Sequence, residues 1–202
     1  SADQREFKHF INGEFVGSAS GRGFDNINPV DGRVIGHVHE GGKAEIDAAV
    51  AAARAALHGP WGKMTVPQRT ELLYKVADEI NRRFDDFLAA EVADNGQPPG
   101  PASHKTSRTG PRVPRGVIGV ICPWNLPLLL MTWKVWPALA SGNTVVVKPS
   151  EETPATATLL GEVMNAVGVP PGVYNVVHGL GPDSAGAFLT THPGVDGITF
   201  TG

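Results

Sequence analysis

A single cysteine, Cys122, stands among 202 residues. One thiol excludes an internal disulfide framework and fits a reducing compartment. Neither sign of charge dominates: 17 Lys and Arg against 20 Asp and Glu leave a formal net charge of −3. With no basic stripe to neutralise phosphates, a nucleic-acid partner is not expected. The polar opening Ser1-Ala2-Asp3-Gln4-Arg5-Glu6 lacks the apolar core of a signal peptide. A long uninterrupted apolar run is missing as well. The most apolar stretch, 117–136, is broken by Pro123, Asn125, Pro127 and Lys134, which argues against a membrane span and for a cytoplasmic protein. Metal-ligand spacing is also absent. His37 and His39 would share one strand face, but no third ligand accompanies them, so no metal is expected.

Punctuation, in contrast, is plentiful. The 25 glycines and 17 prolines fall mostly between apolar runs and mark where elements end. Asn12-Gly13, flanked by Phe10-Ile11 and Phe15-Val16, predicts a hairpin over 7–16 with a type I′ turn. A further β stretch is expected over 33–39. Over 43–57, Ile46, Ala49, Val50, Ala53 and Leu57 recur on one helical face. Pro67 suits the first turn of a longer helix running towards Phe84, with Leu72, Leu73, Val76, Ile80 and Phe84 as its apolar stripe.

The pattern changes in the second half. Residues 117–122 form a continuous apolar run, as a strand buried on both faces requires. A helix over 126–140 ends at Ser141-Gly142-Asn143, and a second strand over 144–147 ends at Lys148-Pro149. Thr153-Pro154 offers an N-cap and first turn for a helix to 166. A third strand over 173–177, the turn Gly179-Leu180-Gly181-Pro182, a short helix over 183–190 and a fourth strand over 197–200 follow. This alternation predicts an α/β, doubly wound parallel sheet of Rossmann type, incomplete, preceded by a β-hairpin and two helices. The expected division is a hairpin and helical part over 1–96, a linker-like segment over 97–112, and a dinucleotide-binding core over 113–202.

Such sheets bind ligands beyond the carboxyl ends of their strands. After the first of these strands, Pro123 and Pro127 restrict the backbone around Asn125. Held there, the amide of Asn125 could donate to an oxygen developing negative charge, or it could simply cap the next helix. After the second, Lys148 and Glu151 suit the hydroxyls of an adenosine ribose, or form a solvated pair on a loop. Gly179-x-Gly181-x-x-Ser184 matches the dinucleotide fingerprint only loosely, with serine where a third glycine belongs. Cys122 ends an apolar strand before a proline with no histidine beside it in sequence, which favours a buried structural thiol over a nucleophile. Trp133 and Trp136, three apart on one helix, read as packing residues.

Taken together, Ile121-Cys122-Pro123-Trp124-Asn125-Leu126-Pro127, Trp133-Lys134, Pro137-Ala138-Leu139-Ala140, the run 142–151, the run 170–177 and Ile198-Thr199-Phe200-Thr201-Gly202 resemble the aldehyde dehydrogenase superfamily. The resemblance spans 7–98 and 113–202, and within the superfamily is strongest to the 2-hydroxymuconic semialdehyde dehydrogenases of aromatic-ring catabolism. It implies that Asn125 is the oxyanion-hole amide and that Lys134 relays protons. It places Ile121, Cys122, Pro123, Trp124 and Ser150 along the cofactor, Lys148 and Glu151 at its ribose, and Gly181 and Pro182 near its adenine. The implied cofactor is NAD, with Glu151 disfavouring a 2′-phosphate, and the implied substrate is a small aldehyde oxidised to its acid through a cysteine thiolate.

Two departures from the family pattern stand out. The nucleophilic cysteine and general-base glutamate of the family have no counterpart here, and Cys122 aligns with neither, so this chain alone is expected to be inactive. The helix that meets the pyrophosphate in the family has no counterpart either, so weak NAD binding is expected. Residues 97–112, rich in Pro, Ser and basic side chains, replace a longer family segment that includes oligomerisation strands. A homo-oligomer is therefore implied for the family more than for this chain.

Overall fold

The computed structural model describes residues 5–96 and 113–202; the expected linker, 97–112, lies outside the described residues. Two sheets organise the chain. A three-stranded sheet joins β1 (Arg5–Phe7), β5 (Val34–His39) and β4 (Gly23–Ile27), in that order. A six-stranded sheet runs β3 (Glu14–Val16), β2 (His9–Ile11), β8 (Tyr174–Val176), β7 (Thr144–Lys148), β6 (Val117–Ile121) and β9 (Gly197–Phe200). Strands β8, β7, β6 and β9 are mutually parallel, and β2 joins β8 antiparallel, extending that sheet with the hairpin.

The apolar runs are continuous because this sheet is covered on both faces, and alternate residues divide between them. Val120, Cys122, Val145, Val147, Tyr174 and Val176 join one core cluster with α5 (Pro127–Ala140) and α6 (Ala155–Val167). Val117, Val146 and Val177 join the other, beneath α1 (Lys43–His58) and α7 (Ala185–Thr191). The period-2 split of β6 and β7 is thus the doubly wound arrangement read out residue by residue.

The hairpin β2–β3 closes through Asn12 (φ 53°) and Gly13 (φ 80°), both left-handed as a type I′ turn demands. Its tip is anchored from the parallel sheet, since Asn12 N donates to the buried Asn175 Oδ1 at 3.0 Å. The stripe expected on α1 is buried at Ile46, Ala49, Val50 and Ala53. Helix α3 (Val66–Arg82) opens with a capping box: Gln68 N donates to Thr65 Oγ1 at 3.3 Å and Thr65 N to Gln68 Oε1 at 2.8 Å. The short α2 (Pro60–Lys63) buries Trp61, whose indole N–H reaches the carbonyls of Gly142 and Asn143.

Three features depart from the sequence reading. Helix α4 (Phe84–Asn95) follows α3 after a single non-helical residue, Arg83, so no glycine or proline marks the break. Strand β4 carries Asp25 and Asn26, poor strand formers that conceal it. Thr153 does not cap α6, and its Oγ1 is buried without a partner. The first amide of that helix, Ala155 N, instead donates to Asp94 Oδ2 at 2.9 Å, a cap supplied from 61 residues away in sequence. Asp94 Oδ1 also accepts from Asn26 Nδ2 at 2.9 Å, so one buried carboxyl ties α4, α6 and β4 together. Burial pushes that carboxyl up to about 6.

Asp94→Ala would leave a helix amide and an asparagine N–H buried without acceptors. Chemical unfolding at pH 7 is expected to show a loss of about 2 kcal/mol, the cost of orphaned buried donors; a loss within experimental error of zero would contradict the remote cap.

Candidate functional site

In chain order the parallel strands lie third, second, first, fourth (β8, β7, β6, β9), so the winding reverses between β6 and β9. At such a reversal the flanking helices leave on opposite faces and open a crevice at the carboxyl ends of the strands. Around it sit the loops following β6, β7 and β8.

Register brings the first two loops together. Ile121 lies opposite Lys148, Cys122 N donates to Lys148 O at 3.2 Å, and on the other side Thr201 N donates to Ile121 O at 3.2 Å. The Lys148 side chain then reaches the third loop. Its Nζ donates to Gly179 O at 2.8 Å, to Pro149 O at 2.9 Å and to Glu151 Oε2 at 3.4 Å. Burial holds the ammonium below the usual lysine range, with Glu151 pulling it back up. Lys148 is nearly sealed while the Glu151 side chain is 41% exposed, so a donor and an acceptor stand side by side with only the acceptor free to swing. That donor set matches a vicinal diol, and the carboxylate repels an added phosphate. Ser150 is buried beside them, its Oγ accepting from Glu152 N at 3.3 Å.

The turn after β8 is built by close approaches. Gly179 has φ 153°, and a Cβ there would meet Ala185 Cβ at 2.8 Å. Ser184 Oγ accepts from Leu180 N at 3.0 Å and donates towards Glu40 Oε1 at 3.1 Å, pinning the turn to the loop before α1. The role of a third fingerprint glycine falls to Gly186, where a Cβ would strike Gly181 Cα at 2.9 Å. Gly181 is itself open, with nothing near its missing Cβ, and Pro182 beside it is exposed. Glu40 and Ser184 were invisible as a pair in the sequence, since 144 residues separate them.

The loop after β6 is less engaged. Trp124 and Asn125 are exposed and Pro123 is half-buried. Helix α5 begins at Pro127 with Leu126 in the cap position and no side-chain cap, so Asn125 is not spent on capping. Among the described residues no hydrogen bond joins Asn125 to Lys134 or Lys148, and the Lys134 Nζ donates to Leu130 O of its own helix at 3.0 Å. Trp136 packs partly against the core while Trp133 is 55% exposed. No group of His, Cys, Asp and Glu able to hold a metal ion occurs among the described residues. His37 and His39 are paired instead with Asp25 and Glu6.

Cys122 lies in the core cluster, and burial pushes its thiol up to about 11 against the pull of the Lys134 and Lys148 charges. Such a group is a thiol, not a thiolate, at neutral pH. Alkylation by iodoacetamide at pH 8 is expected to be about a hundredfold slower in the native protein than in denaturant, from the thiolate fraction alone, and to speed up as pH rises. Equal rates in the two states would contradict a buried, protonated Cys122.

A profile of the aldehyde dehydrogenase family matches residues 15–110 and 100–202. The chain is 61% identical to a 2-hydroxymuconic semialdehyde dehydrogenase from Pseudomonas sp. (strain CF600), over 98% of this chain and 48% of that protein. It is 47% identical to a 2-aminomuconic 6-semialdehyde dehydrogenase from Pseudomonas sp, over 98% of this chain and 47% of the relative. The NAD+ complex of aldehyde dehydrogenase from Bacillus cereus superimposes with a TM-score of 0.89 at 36% identity, over 98% of this chain and 46% of that one. The chain spans about half the length of the curated relatives it matches.

Proposed function

Because this chain belongs to the aldehyde dehydrogenase family, we propose that it contributes the cofactor side of an NAD-dependent oxidation of an aldehyde to its carboxylic acid. The substrate we propose is 2-hydroxymuconic semialdehyde, on the strength of the identity to the Pseudomonas enzyme. One observation carries the reading: a buried lysine and a partly exposed glutamate share the end of β7, in strand register with the loop that presents Asn125. Residues 113–202 form the cofactor-binding core in this reading, with the part before residue 97 flanking it.

NAD, when bound, accepts a hydride from the aldehyde carbon. The chain's own residues bind and orient. Lys148 donates to a ribose hydroxyl while keeping its main-chain carbonyls, and Glu151 accepts from the neighbouring hydroxyl. Ile121, Cys122, Pro123 and Trp124 line the path between the strand ends, and Gly181 and Pro182 leave a flat, open place for the adenine. Asn125, free of the helix cap, directs its amide N–H at the substrate oxygen as charge develops there. Lys134 lies near enough for its charge to be felt at Cys122 and can hold a proton on that side of α5.

Chemistry is a separate matter. The only thiol among the 202 residues is Cys122, and it is buried and protonated at neutral pH. The chain by itself therefore binds without oxidising, either as a nucleotide-binding piece or in association with other subunits.

Two measurements test the reading. The purified chain mixed with NAD+ and 2-hydroxymuconic semialdehyde should produce no NADH; production abolished by Cys122→Ser would overturn the assignment of Cys122. By calorimetry NAD+ should bind more tightly than NADP+, and Glu151→Ala should shrink that preference by about tenfold, the size of one charge repulsion near a surface. An unchanged preference would remove Glu151 from the ribose site.

A further inference from the structure

Behind Lys148 lies a buried imidazole pair that the proposed function leaves unused. His9, on β2, is fully buried, and His178, two residues beyond the end of β8, is 1% exposed. Their rings lie 5.9 Å apart between centroids. The contact between them is not ring to ring: His178 N donates to His9 Nδ1 at 3.1 Å. A backbone N–H can only donate, so Nδ1 of His9 must accept, and the ring proton sits on Nε2. That Nε2 is buried with no hydrogen-bond partner. An apolar side chain would remove this orphaned donor but would leave the His178 N–H buried without an acceptor, so the imidazole is kept for what its Nδ1 accepts.

What the Nδ1 acceptor accomplishes is seen one residue on. The His178 amide is held by His9, and the His178 carbonyl accepts from Gly41 N at 2.8 Å. With both polar groups of residue 178 fixed from opposite sides, the chain turns at Gly179, whose carbonyl is aimed at Lys148 Nζ, 2.8 Å away. The His178 ring is itself bonded to Thr158 Oγ1 at 3.2 Å and to the Lys8 main chain, so it cannot rotate to supply the missing acceptor.

We propose that His9 is a positioning residue for the ribose-binding lysine: its Nδ1 holds the His178 amide at the entry to the turn, so that the Gly179 carbonyl fixes the Lys148 ammonium in the crevice. The inference rests on the reading of Lys148 as the ribose donor. It requires His9 to stay neutral, because a proton on Nδ1 would set two N–H groups against each other. Burial lowers His9 to about 4 and holds His178 well below the usual imidazole range. The charges facing the pair are Lys148 from β7, His39 from β5 and Glu45 from α1; only Glu45 favours protonation of His9.

The test compares two amides of different reach. In His9→Asn the side-chain oxygen takes the place of Nδ1 and still accepts from His178 N; in His9→Gln the carbonyl lies further out, near the former Nε2, and does not. NAD+ affinity of the full chain is measured by ligand-observed NMR at pH 7.5, with the melting temperature and the ¹⁵Nζ resonance of Lys148 recorded on the same samples. His9→Asn is expected to bind within twofold of the wild type, and His9→Gln at least fivefold more weakly, with the Lys148 resonance displaced only in His9→Gln. A folded His9→Gln with wild-type affinity and an unmoved Lys148 resonance overturns the proposal. If the wild type shows no NAD+ binding, the ribose reading fails separately, and the Lys148 resonance alone decides whether His9 positions it. Should His9→Gln not fold, the pH profile decides: between pH 5 and 4 wild-type affinity should fall more steeply than that of His9→Asn, since His9 takes up its proton there and the rest of the site is the same in both. Parallel profiles would overturn the proposal.

Discussion

Lys148 carries an ammonium into a position where only 5% of the residue reaches water. Removing such an ion from solvent costs several kcal/mol unless oxygens replace the hydration shell. Here two main-chain carbonyls do most of that, with a half-exposed carboxylate as a looser third partner. The carbonyls come from different βα loops, so satisfying one charge fixes the end of β7 against the turn after β8. Strand register then carries that constraint to Ile121 and Cys122. The crevice between the loops is held open by an electrostatic requirement as much as by packing.

Packing supplies the frame around it. The alternation along β6 and β7 sends Val120 and Val147 towards α5 and α6, and Val117 and Val146 towards α1 and α7. Opposite-facing helices are what make a reversal of strand order into a cleft. The turn at 179–186 adds a second constraint, because Gly179 and Gly186 allow a close approach where a Cβ would collide. These residues matter for the space they leave, while Ser184 and Glu40 matter for holding that space to the loop before α1.

The parallel sheet was legible in the sequence because its signals are local: unbroken β-branched runs, glycine turns and prolines at helix starts. The Asn12-Gly13 hairpin was legible for the same reason. What escaped depends on partners distant in the chain. Asp94 caps a helix 61 residues on, so Thr153 seemed the obvious cap. Helix α4 follows α3 with no punctuating residue, and β4 carries the polar Asp25 and Asn26, which conceal its strand character. At the site, Lys148 and Glu151 were readable as neighbours at a strand end. Their third connection, to Gly179, and the service of His9 behind it follow from sheet order, which no local pattern encodes. Asn125 could be read as a cap or as an oxyanion donor; the start of α5 at Pro127 leaves its amide uncommitted.

The central claim is that the working face of this chain is the crevice at the carboxyl ends of β6, β7 and β8. The most direct measurement is an amide chemical-shift titration of the ¹⁵N-labelled chain with NAD+. Shifts concentrated in the loops at 122–126, 148–152 and 179–184, with the β1–β5–β4 sheet unmoved, are the predicted result. Shifts centred instead on the separate groove lined by Arg5, Asp86 and Glu162 would place the nucleotide elsewhere and contradict the account.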